Sequence, residues 1–275
     1  MQIDSHQHFW KFNSARDSWI TDNMKQIRRD FIPSDLLPVL KQNKIDGSIV
    51  VQANSSEEET NLLLEYAKKY PFIKGVVGWL DLCADDIEDK LKCYSKNTML
   101  KGLRHIIQDE IDDYFILLPK FQRGISLLEK YNLTYDILIY PKHLPPTLEL
   151  VKKFPNQAFV LNHIAKPKIN GKIEPCWEYY INQLGKHSNV YCKVSGMVTE
   201  AKWGKWTKSD FIPYLDIVFN SFGAERVMFG SDWPVCLLSA TYKQVICILS
   251  EYLTKYPKES TKQIMGLNAQ KVYKL

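Results

Sequence analysis

Two histidines lie one residue apart near the start of the chain, in the run Ile3-Asp4-Ser5-His6-Gln7-His8. Residues i and i+2 of a β-strand point to the same side, so His6 and His8 are expected to share one face. Two imidazoles on one face can bind a divalent metal ion or contact a substrate oxygen. The pair is therefore the first candidate for a catalytic site, and two unrelated histidines near a terminus are the alternative.

A carboxylate and a third imidazole occur later in the chain, each at the end of an apolar run. Asp232 lies in Gly230-Ser231-Asp232-Trp233-Pro234, and His163 ends the run Phe159-Val160-Leu161-Asn162-His163. A carboxylate beside imidazoles in a partly dry site is a credible general base. The predicted catalytic set is Asp232, His6, His8 and His163, although Pro234 also makes a simple turn aspartate plausible.

Arg104 and His105 end another apolar run, Gly102-Leu103-Arg104-His105. Neighbours on a strand point to opposite faces, so only one of the two is expected to reach the interior directly, and the sequence leaves open which. An interior Arg104 could pair with Asp136 or bind a substrate oxygen. Tryptophan rings stack well on sugars. The candidate substrate-binding residues are Arg104, His105, Trp79, Trp203 and Trp206.

Eight short apolar runs would position these side chains. Most are continuously apolar rather than alternating, as expected of strands that are buried on both faces of a parallel sheet. The predicted strands are Met1–His6, Gly47–Gln52, Gly75–Leu80, Met99–His105, Thr134–Ile139, Ala158–His163, Val190–Ser195 and Val227–Asp232.

A helix-like segment follows each run, so the chain is predicted to form an α/β protein, a (β/α)₈ TIM barrel in one domain over residues 1–275. An open doubly wound sheet is the alternative, but it usually has a glycine-rich turn after its first strand. The first predicted helix is capped by Ser34-Asp35 and ends at Gln42, and the second, Leu62–Tyr70, follows capping boxes in Ser55–Glu59. The others are Asp85–Tyr94, Phe121–Tyr131, Thr147–Phe154, Trp177–Leu184, Asp210–Phe222, Thr241–Tyr256 and an extra C-terminal helix, Ser260–Tyr273.

Barrel closure would bring the candidate residues together. The eighth strand lies beside the first in a closed barrel, so Asp232 is expected near His6 and His8 at the carboxyl ends of the strands. Two long connections, Phe9–Ile32 and Met197–Ser209, leave the same ends. Long ordered loops at this face often form binding walls, and the second connection carries two of the candidate tryptophans.

Composition argues against several classes of partner. The net charge of +5 comes from scattered residues rather than a basic stripe, which argues against nucleic-acid binding. No apolar stretch reaches the ~20 residues of a membrane span, and the first residues do not resemble a secretory signal. Six widely spaced cysteines without a C-x-x-C pair favour free thiols and a cytoplasmic location.

Ordered matches along nearly the whole chain resemble one branch of the amidohydrolase superfamily, the sugar lactonases of the L-fuconolactonase-like and L-rhamnonolactonase-like type. The matching stretches are Ile3–Trp10, Arg28–Phe31, Gly102–His105, Gln108–Glu110, Asn162–Pro167, Tyr191–Met197, Met228–Cys236 and Gly266–Ala269.

The resemblance implies an enzyme that hydrolyses a small sugar-acid lactone, such as L-fucono-1,5-lactone, to the free aldonic acid, with a place in L-fucose degradation. It also implies that His6, His8, His163 and Asp232 take the superfamily's catalytic positions. Two metals are not expected, because strand four lacks a terminal Lys or Glu and strand five ends in Ile139-Tyr140 rather than His. Two possibilities stay open. His6, His8 and Asp232 bind one divalent ion, zinc in the first instance, or the reaction needs no metal.

Other functions fit the same scaffold less well. A metal-dependent decarboxylase of the same superfamily is the main alternative, and it would release carbon dioxide from an aromatic acid. An amidase or deaminase would need the missing strand-five histidine, and a non-catalytic sugar-binding protein would not need the full catalytic set. The sequence carries no signal for an oligomeric state.

Overall fold

Eight parallel strands form a barrel in the computed structural model, which describes residues 1–275. Each strand pairs with its neighbours in sequence order, from β1 to β8. The predicted (β/α)₈ barrel is confirmed, and the open doubly wound sheet is wrong. The strands are β1 Ile3–Gln7, β2 Gly47–Val51, β3 Ile73–Gly78, β4 Leu100–Ile106, β5 Thr134–Leu138, β6 Phe159–Leu161, β7 Val190–Val194 and β8 Val227–Phe229.

Helices surround the barrel and follow the strands as the apolar spacing predicts. Ser56 caps α2 by accepting a hydrogen bond from the Glu59 amide at 3.1 Å. The Glu59 carboxylate accepts the amides of Ala53 and Asn54 rather than that of Ser56, so only half of the predicted capping box forms. The helices are α1 Pro33–Gln42, α2 Glu57–Lys69, α3 Ile87–Tyr94, α4 Pro119–Leu128, α5 Leu144–Lys153, α6 Pro175–Gly185, α7 Met197–Glu200, α8 Ile212–Phe222, α9 Tyr242–Tyr252, α10 Lys258–Lys262 and α11 Asn268–Val272. Short 3₁₀ segments are Asp22–Ile27, Ile107–Asp109, Phe115–Leu117, Glu129–Tyr131, Pro141–His143, Lys208–Phe211, Val235–Leu238 and Leu253–Lys255.

The seam between β8 and β1 closes the barrel. The Asp232 amide donates to the His6 carbonyl at 2.8 Å, and the His8 amide donates to the Trp233 carbonyl at 2.7 Å. Below them, the Asp4 carboxylate accepts the Ser231 amide at 2.8 Å. The seam therefore joins the first strand to the residues that directly follow the last one.

The C-terminal segment closes the amino end of the barrel. It forms the predicted extra helix over residues 258–272, in which a π-helical turn, Gln263–Leu267, lies between α10 and α11. Val272 and Tyr273 join a buried cluster with residues of the strands, including Ile3 and Met228. The main core, a separate cluster of 67 buried residues, includes many of the side chains between the strands and the helices.

Two strands, the sixth and the eighth, end well before their predicted ends. The prediction extended the sixth strand to His163 and the eighth to Asp232, whereas β6 ends at Leu161 and β8 at Phe229. His163 and Asp232 have positive φ angles of 54° and 57°. This left-handed conformation cannot continue a strand, so the chain leaves the ladder just before both candidate catalytic residues.

The two long connections contain helices that the sequence did not indicate: the 3₁₀ segment Asp22–Ile27 in the first and α7 in the second. None of the helices combines the length and the apolar character that a membrane crossing requires. The assignment of residues 1–275 to one domain stays a prediction.

We expect the Asp4→Ala substitution to lower the free energy of unfolding by about 3 kcal/mol. Asp4 is fully buried, and its carboxylate accepts the Ser231 amide at 2.8 Å, the His6 amide at 3.1 Å and the Tyr242 hydroxyl at 2.9 Å. Alanine would leave these donors unpaired, and each buried unpaired group costs ~1–3 kcal/mol. Urea unfolding followed by circular dichroism measures the change.

Two variants control this experiment. Asp4→Asn keeps one acceptor oxygen and should lose less stability than Asp4→Ala. Asp89→Ala removes an exposed carboxylate from α3, where surface substitutions stay within about 0.5 kcal/mol. Equal unfolding midpoints for Asp4→Ala and Asp89→Ala would contradict the role given to Asp4.

Candidate active site

Three imidazoles meet at the carboxyl ends of the strands. His6 and His8 point to the same side of β1, with their Nε2 atoms 3.1 Å apart. The ring of His163 packs against that of His6, with centroids 4.4 Å apart. Burial lowers the pKa of all three, to about 3 for His163. The rings are therefore neutral near pH 7, and neutral imidazole is the form that binds metal ions.

The tautomer of His8 follows from its other nitrogen. Nδ1 lies 2.7 Å from the Val51 carbonyl oxygen. A carbonyl only accepts, so Nδ1 carries the proton and Nε2 presents a lone pair to the cavity. A histidine that donates Nδ1–H to a backbone carbonyl is oriented as metal-binding histidines usually are.

Asp232 faces all three rings. Its Oδ1 lies 3.4 Å from Nε2 of His8, 3.8 Å from that of His6 and 3.9 Å from that of His163. Burial alone would raise the pKa of Asp232, but His163, His8 and Lys166 together hold it below its usual value. The carboxylate is therefore ionised at neutral pH, as a base that takes a proton from water must be.

A left-handed turn places His163 in the site. His163, Ile164, Ala165 and Lys166 have φ angles of 54°, 50°, 62° and 50°, and the Lys166 amide donates to the His163 carbonyl at 2.8 Å. With about three residues per turn, His163 and Lys166 lie on the same side. The Trp177 indole fixes the turn by donating to the Ile164 carbonyl at 2.8 Å.

The turn after β7 supports the ring of His163 from behind. Ser195 Oγ lies 2.8 Å from His163 Nδ1. Gly196 has a φ angle of 63°, and a Cβ atom there would lie 2.6 Å from the same nitrogen. Only glycine allows this approach, so Gly196 is part of the machinery that positions His163.

The spacing of His6, His8 and Asp232 fits one metal ion. The candidate ligand atoms are 3.1, 3.4 and 3.8 Å apart. Zinc lies ~2.1 Å from such ligands in a tetrahedral site, which requires ligand separations of about 3.4 Å. Two imidazole nitrogens and a carboxylate oxygen are also ligands that zinc accepts.

Two cations flank His6. Lys193 Nζ lies 3.3 Å from His6 Nδ1 and forms a buried ion pair of 2.6 Å with Asp136. Arg104 Nη1 lies 3.4 Å from His6 Nε2. A metal on Nε2 would place the His6 proton on Nδ1, towards a lysine rather than the usual acceptor. The surroundings of His6 therefore weaken metal binding relative to a site without these charges.

Arg104 reaches the interior and His105 does not. The Arg104 guanidinium donates to the backbone and side-chain carbonyls of Gln52, and the residue lines the cavity. The suggested ion pair between Arg104 and Asp136 is absent, because Asp136 bonds instead to Lys193 and to the Tyr273 hydroxyl, the latter at 2.9 Å.

His105 and Trp79 lie behind the strands. The ring of His105 stacks on Phe115, its Nε2 lies 2.6 Å from Glu110, and its Nδ1 accepts the Trp79 indole N–H at 3.2 Å. Neither residue lines the cavity. The geometry argues against the predicted substrate contacts of His105 and Trp79, because both side chains point towards the helical layer.

A cavity of about 410 Å³ opens above Asp232, His8 and His163. Trp203 lines it as the sequence indicated, but Trp206 packs on Phe211 and bonds to Ser239 away from the lining. The other indoles of the wall are Trp10 and Trp19, both from the first long connection, in edge contact at 5.8 Å. Apolar side chains such as Ile106, Leu138 and Val235 complete this wall.

Three charged residues were missed from the sequence besides Asp109, which also lines the cavity. Lys166 and Glu200 line the cavity, and Lys193 lies beneath His6. Lys193 gave a signal, because a lysine inside the apolar run Val190–Val194 needs a buried partner. Lys166 follows His163 by three residues, but this spacing has meaning only once the turn is known to be left-handed. Glu200 gave no signal beyond its place in a long connection.

Comparison with known proteins identifies relatives over most of the chain. The sequence model of the family described as amidohydrolase matches residues 3–275. L-fucono-1,5-lactonase of Burkholderia multivorans is 35% identical over 262 residues, which cover 92% of this chain and 88% of that protein. L-fucono-1,5-lactonase of Burkholderia ambifaria is 35% identical over 244 residues, covering 88% and 83%.

Solved structures agree with this relationship. A crystal structure of an amidohydrolase from Burkholderia multivorans with bound zinc superimposes with a TM-score of 0.94 at 33% identity, covering 100% of this chain and 99% of that one. The match to the family model and the identity to these relatives, each over most of the chain, show that the protein belongs to the amidohydrolase family.

Proposed function

We propose that this protein is a lactonase that hydrolyses a sugar-acid lactone, such as L-fucono-1,5-lactone, to the aldonic acid. The observation that carries the proposal is the position of Asp232 among three neutral imidazoles at the floor of a cavity with an indole wall. Indole faces suit the apolar faces of a sugar ring. The similarity to L-fucono-1,5-lactonases supports the substrate class. The decarboxylase alternative has no comparable support among these relatives.

Asp232 acts as the general base. The ionised carboxylate takes a proton from a water molecule whose oxygen adds to the carbonyl carbon of the lactone. Its Oδ1 lies within 4 Å of Nε2 of His6, His8 and His163, so the base and the rings act on the same small volume.

His163 and Arg104 stabilise the carbonyl oxygen of the lactone, which becomes negative when water adds. Nε2 of His163 faces the Asp232 carboxylate, which favours a proton on that nitrogen, and the Ser195 hydroxyl can donate to Nδ1. Arg104 keeps its charge, since burial lowers its pKa only to about 10. Two donors aimed at the developing oxyanion lower the barrier to addition.

His6, His8 and Asp232 are the residues that would hold one divalent cation, and we assign zinc. When bound, the ion supplies Lewis acidity towards the carbonyl oxygen or the water. His8 is already in the required tautomer, whereas the cations beside His6 oppose the ion. A reaction that proceeds without metal is the alternative within this proposal.

The cellular setting is also part of the proposal. All six cysteines are free thiols, as expected in a reducing compartment, so we assign the protein to the cytoplasm. Hydrolysis of L-fucono-1,5-lactone would be a step of L-fucose degradation, to which we assign the protein. Its partner is a small neutral sugar lactone, and the scattered surface charge gives no reason to add a nucleic acid or a membrane.

A screen of aldonolactones with a pH indicator tests the reaction. We expect acid release from a 6-deoxy-sugar 1,5-lactone to exceed that from lactones of other ring size or configuration, and no carbon dioxide release from hydroxybenzoates. Parallel assays with and without chelator test the metal. Carbon dioxide release without lactone opening would replace the proposal by the decarboxylase alternative.

We expect Asp232→Asn to lower kcat by about 10²–10⁴-fold, the usual contribution of a general base. Asparagine tolerates the positive φ angle of this position, so the melting curve should change little. Asp89→Asn, which alters an exposed carboxylate of α3, should keep wild-type turnover. Unchanged turnover in Asp232→Asn would refute the role of Asp232 as the base.

We expect His8→Ala to lose bound zinc, because it removes one of three ligands. Protein loaded with zinc and dialysed should contain about one ion per chain in the wild type and only background in the variant, as measured by plasma mass spectrometry. His187→Ala, which removes a histidine before β7 at the other end of the barrel, should retain the ion. Equal zinc in wild type and His8→Ala would exclude this site.

A further inference from the structure

Besides Asp232, the carboxyl groups of Glu200 and Asp109 line the cavity, and that of Glu200 has no partner in the protein. Glu200 ends α7 and lines the cavity together with Asp232. Its carboxyl oxygens accept no hydrogen bond and form no ion pair, and only charges at longer range act on it. A half-buried carboxyl group without a protein partner is available to a ligand in the cavity.

The backbone around Glu200 is held in place. The Ile169 amide donates to the Glu200 carbonyl at 3.0 Å, which ties α7 to the loop after β6. The Trp203 indole donates to the Thr199 carbonyl at 3.0 Å. The first bond ties the segment that carries Glu200 to the loop that follows Lys166, and both side chains line the same cavity.

The charges that face Glu200 come from three elements. Burial raises the pKa of Glu200 to about 7, Lys166 after β6 lowers it, and Asp232 after β8 raises it. Tyr140 after β5 also lies close enough for the charge of Glu200 to raise the pKa of its phenol. The Nζ atom of Lys166 has no hydrogen-bonded partner and lies 5.4 Å from the centroid of the Tyr140 ring.

We propose that Glu200 is the general acid of the lactonase reaction and gives its proton to the ring oxygen as the lactone opens. The inference rests on the proposed function. Water adds to the carbonyl carbon while Asp232 takes one of its protons. The bond between that carbon and the ring oxygen then breaks, its electron pair stays on the oxygen, and the Glu200 proton completes the hydroxyl group.

The cycle closes without any further reactant. After ring opening, Glu200 is a carboxylate and Asp232 carries the proton from water. Water in the open cavity returns that proton to Glu200, and the product acid loses its own proton to solvent, so each turnover releases one proton.

Two acids with opposite environments suit two opposite tasks. Asp232 lies among the imidazoles on the floor and stays ionised, whereas Glu200 lies on the wall and keeps its proton up to neutral pH. An alkoxide is a poor leaving group, so the ring oxygen needs a proton as its bond to carbon breaks. A donor separate from the base can supply this proton before Asp232 has passed on the proton that it took from water. Pairs of acids whose pKa values are pushed apart usually divide the roles of base and acid.

The test compares Glu200→Gln with the wild type on a lactone that the wild type opens. Glutamine keeps the size of the side chain but cannot transfer a proton. We expect kcat to fall about 100-fold and KM to change less than about threefold, because the lost interaction belongs to the transition state. Glu200→Asp should recover part of kcat, and Glu178→Gln, on the exposed face of α6, should match the wild type.

The pH profile distinguishes a proton donor from a structural or binding residue. In the wild type, kcat corrected for spontaneous hydrolysis should fall above pH ~7, where Glu200 loses its proton. This limb should vanish in Glu200→Gln and move to higher pH in Lys166→Met, which removes the charge that lowers the Glu200 pKa.

Two results would overturn the inference: a loss confined to KM, or an alkaline limb that persists in Glu200→Gln, including the case in which the limb disappears in Lys166→Met instead. That case would assign the proton to Lys166. A wild type that opens no lactone would instead refute the proposed function, so the two failures are distinguishable.

Discussion

The hydrogen bonds that join β1 to the residues after β8 determine the geometry of the whole site. The Asp4 carboxylate holds the Ser231 amide, and the next residue, Asp232, bonds through its amide to the His6 carbonyl. The base and the first imidazole are 226 positions apart in sequence, but their backbones are in direct contact. A shift of one residue at this seam would turn the Asp232 side chain away from the rings, because neighbouring residues point to opposite sides.

The site is built on strained backbone beyond the strand ends. Asp232 and the four residues from His163 to Lys166 all have positive φ angles without being glycine, and a left-handed residue costs roughly 1–2 kcal/mol. The Trp177 bond to Ile164 and the contact of Ser195 with His163 help to offset this cost. Regular strands would point these side chains alternately inwards and outwards, whereas the left-handed turns direct successive functional groups to one cavity.

The sequence predicted what depends on local pattern. Continuous apolar runs identified the eight strands, and the spacing of His6 and His8 identified the shared face, because both follow from strand periodicity. It could not decide between Arg104 and His105, since that choice depends on which face of β4 turns inwards. It also missed Glu200 and the indoles of Trp10 and Trp19, because their places depend on how two long connections fold over the barrel. The left-handed turn at His163 has no signal in residue type, since isoleucine and alanine rarely adopt it.

The charged side chains beneath and around the cavity determine how it treats a neutral substrate and a charged product. Arg104 and Lys193 offset Asp136 and Asp232 beneath the cavity, so the floor is close to neutral and suits a neutral lactone. In the proposed reaction the ligand becomes a carboxylate while Glu200 is ionised, and Asp232 is ionised again once its proton has passed to Glu200. Two like charges ~5 Å apart repel by about 3 kcal/mol at an effective dielectric constant near 20. The repulsion of the product therefore comes from Glu200 before this proton transfer and from Asp232 after it. The same carboxylates that open the ring therefore favour release of the product.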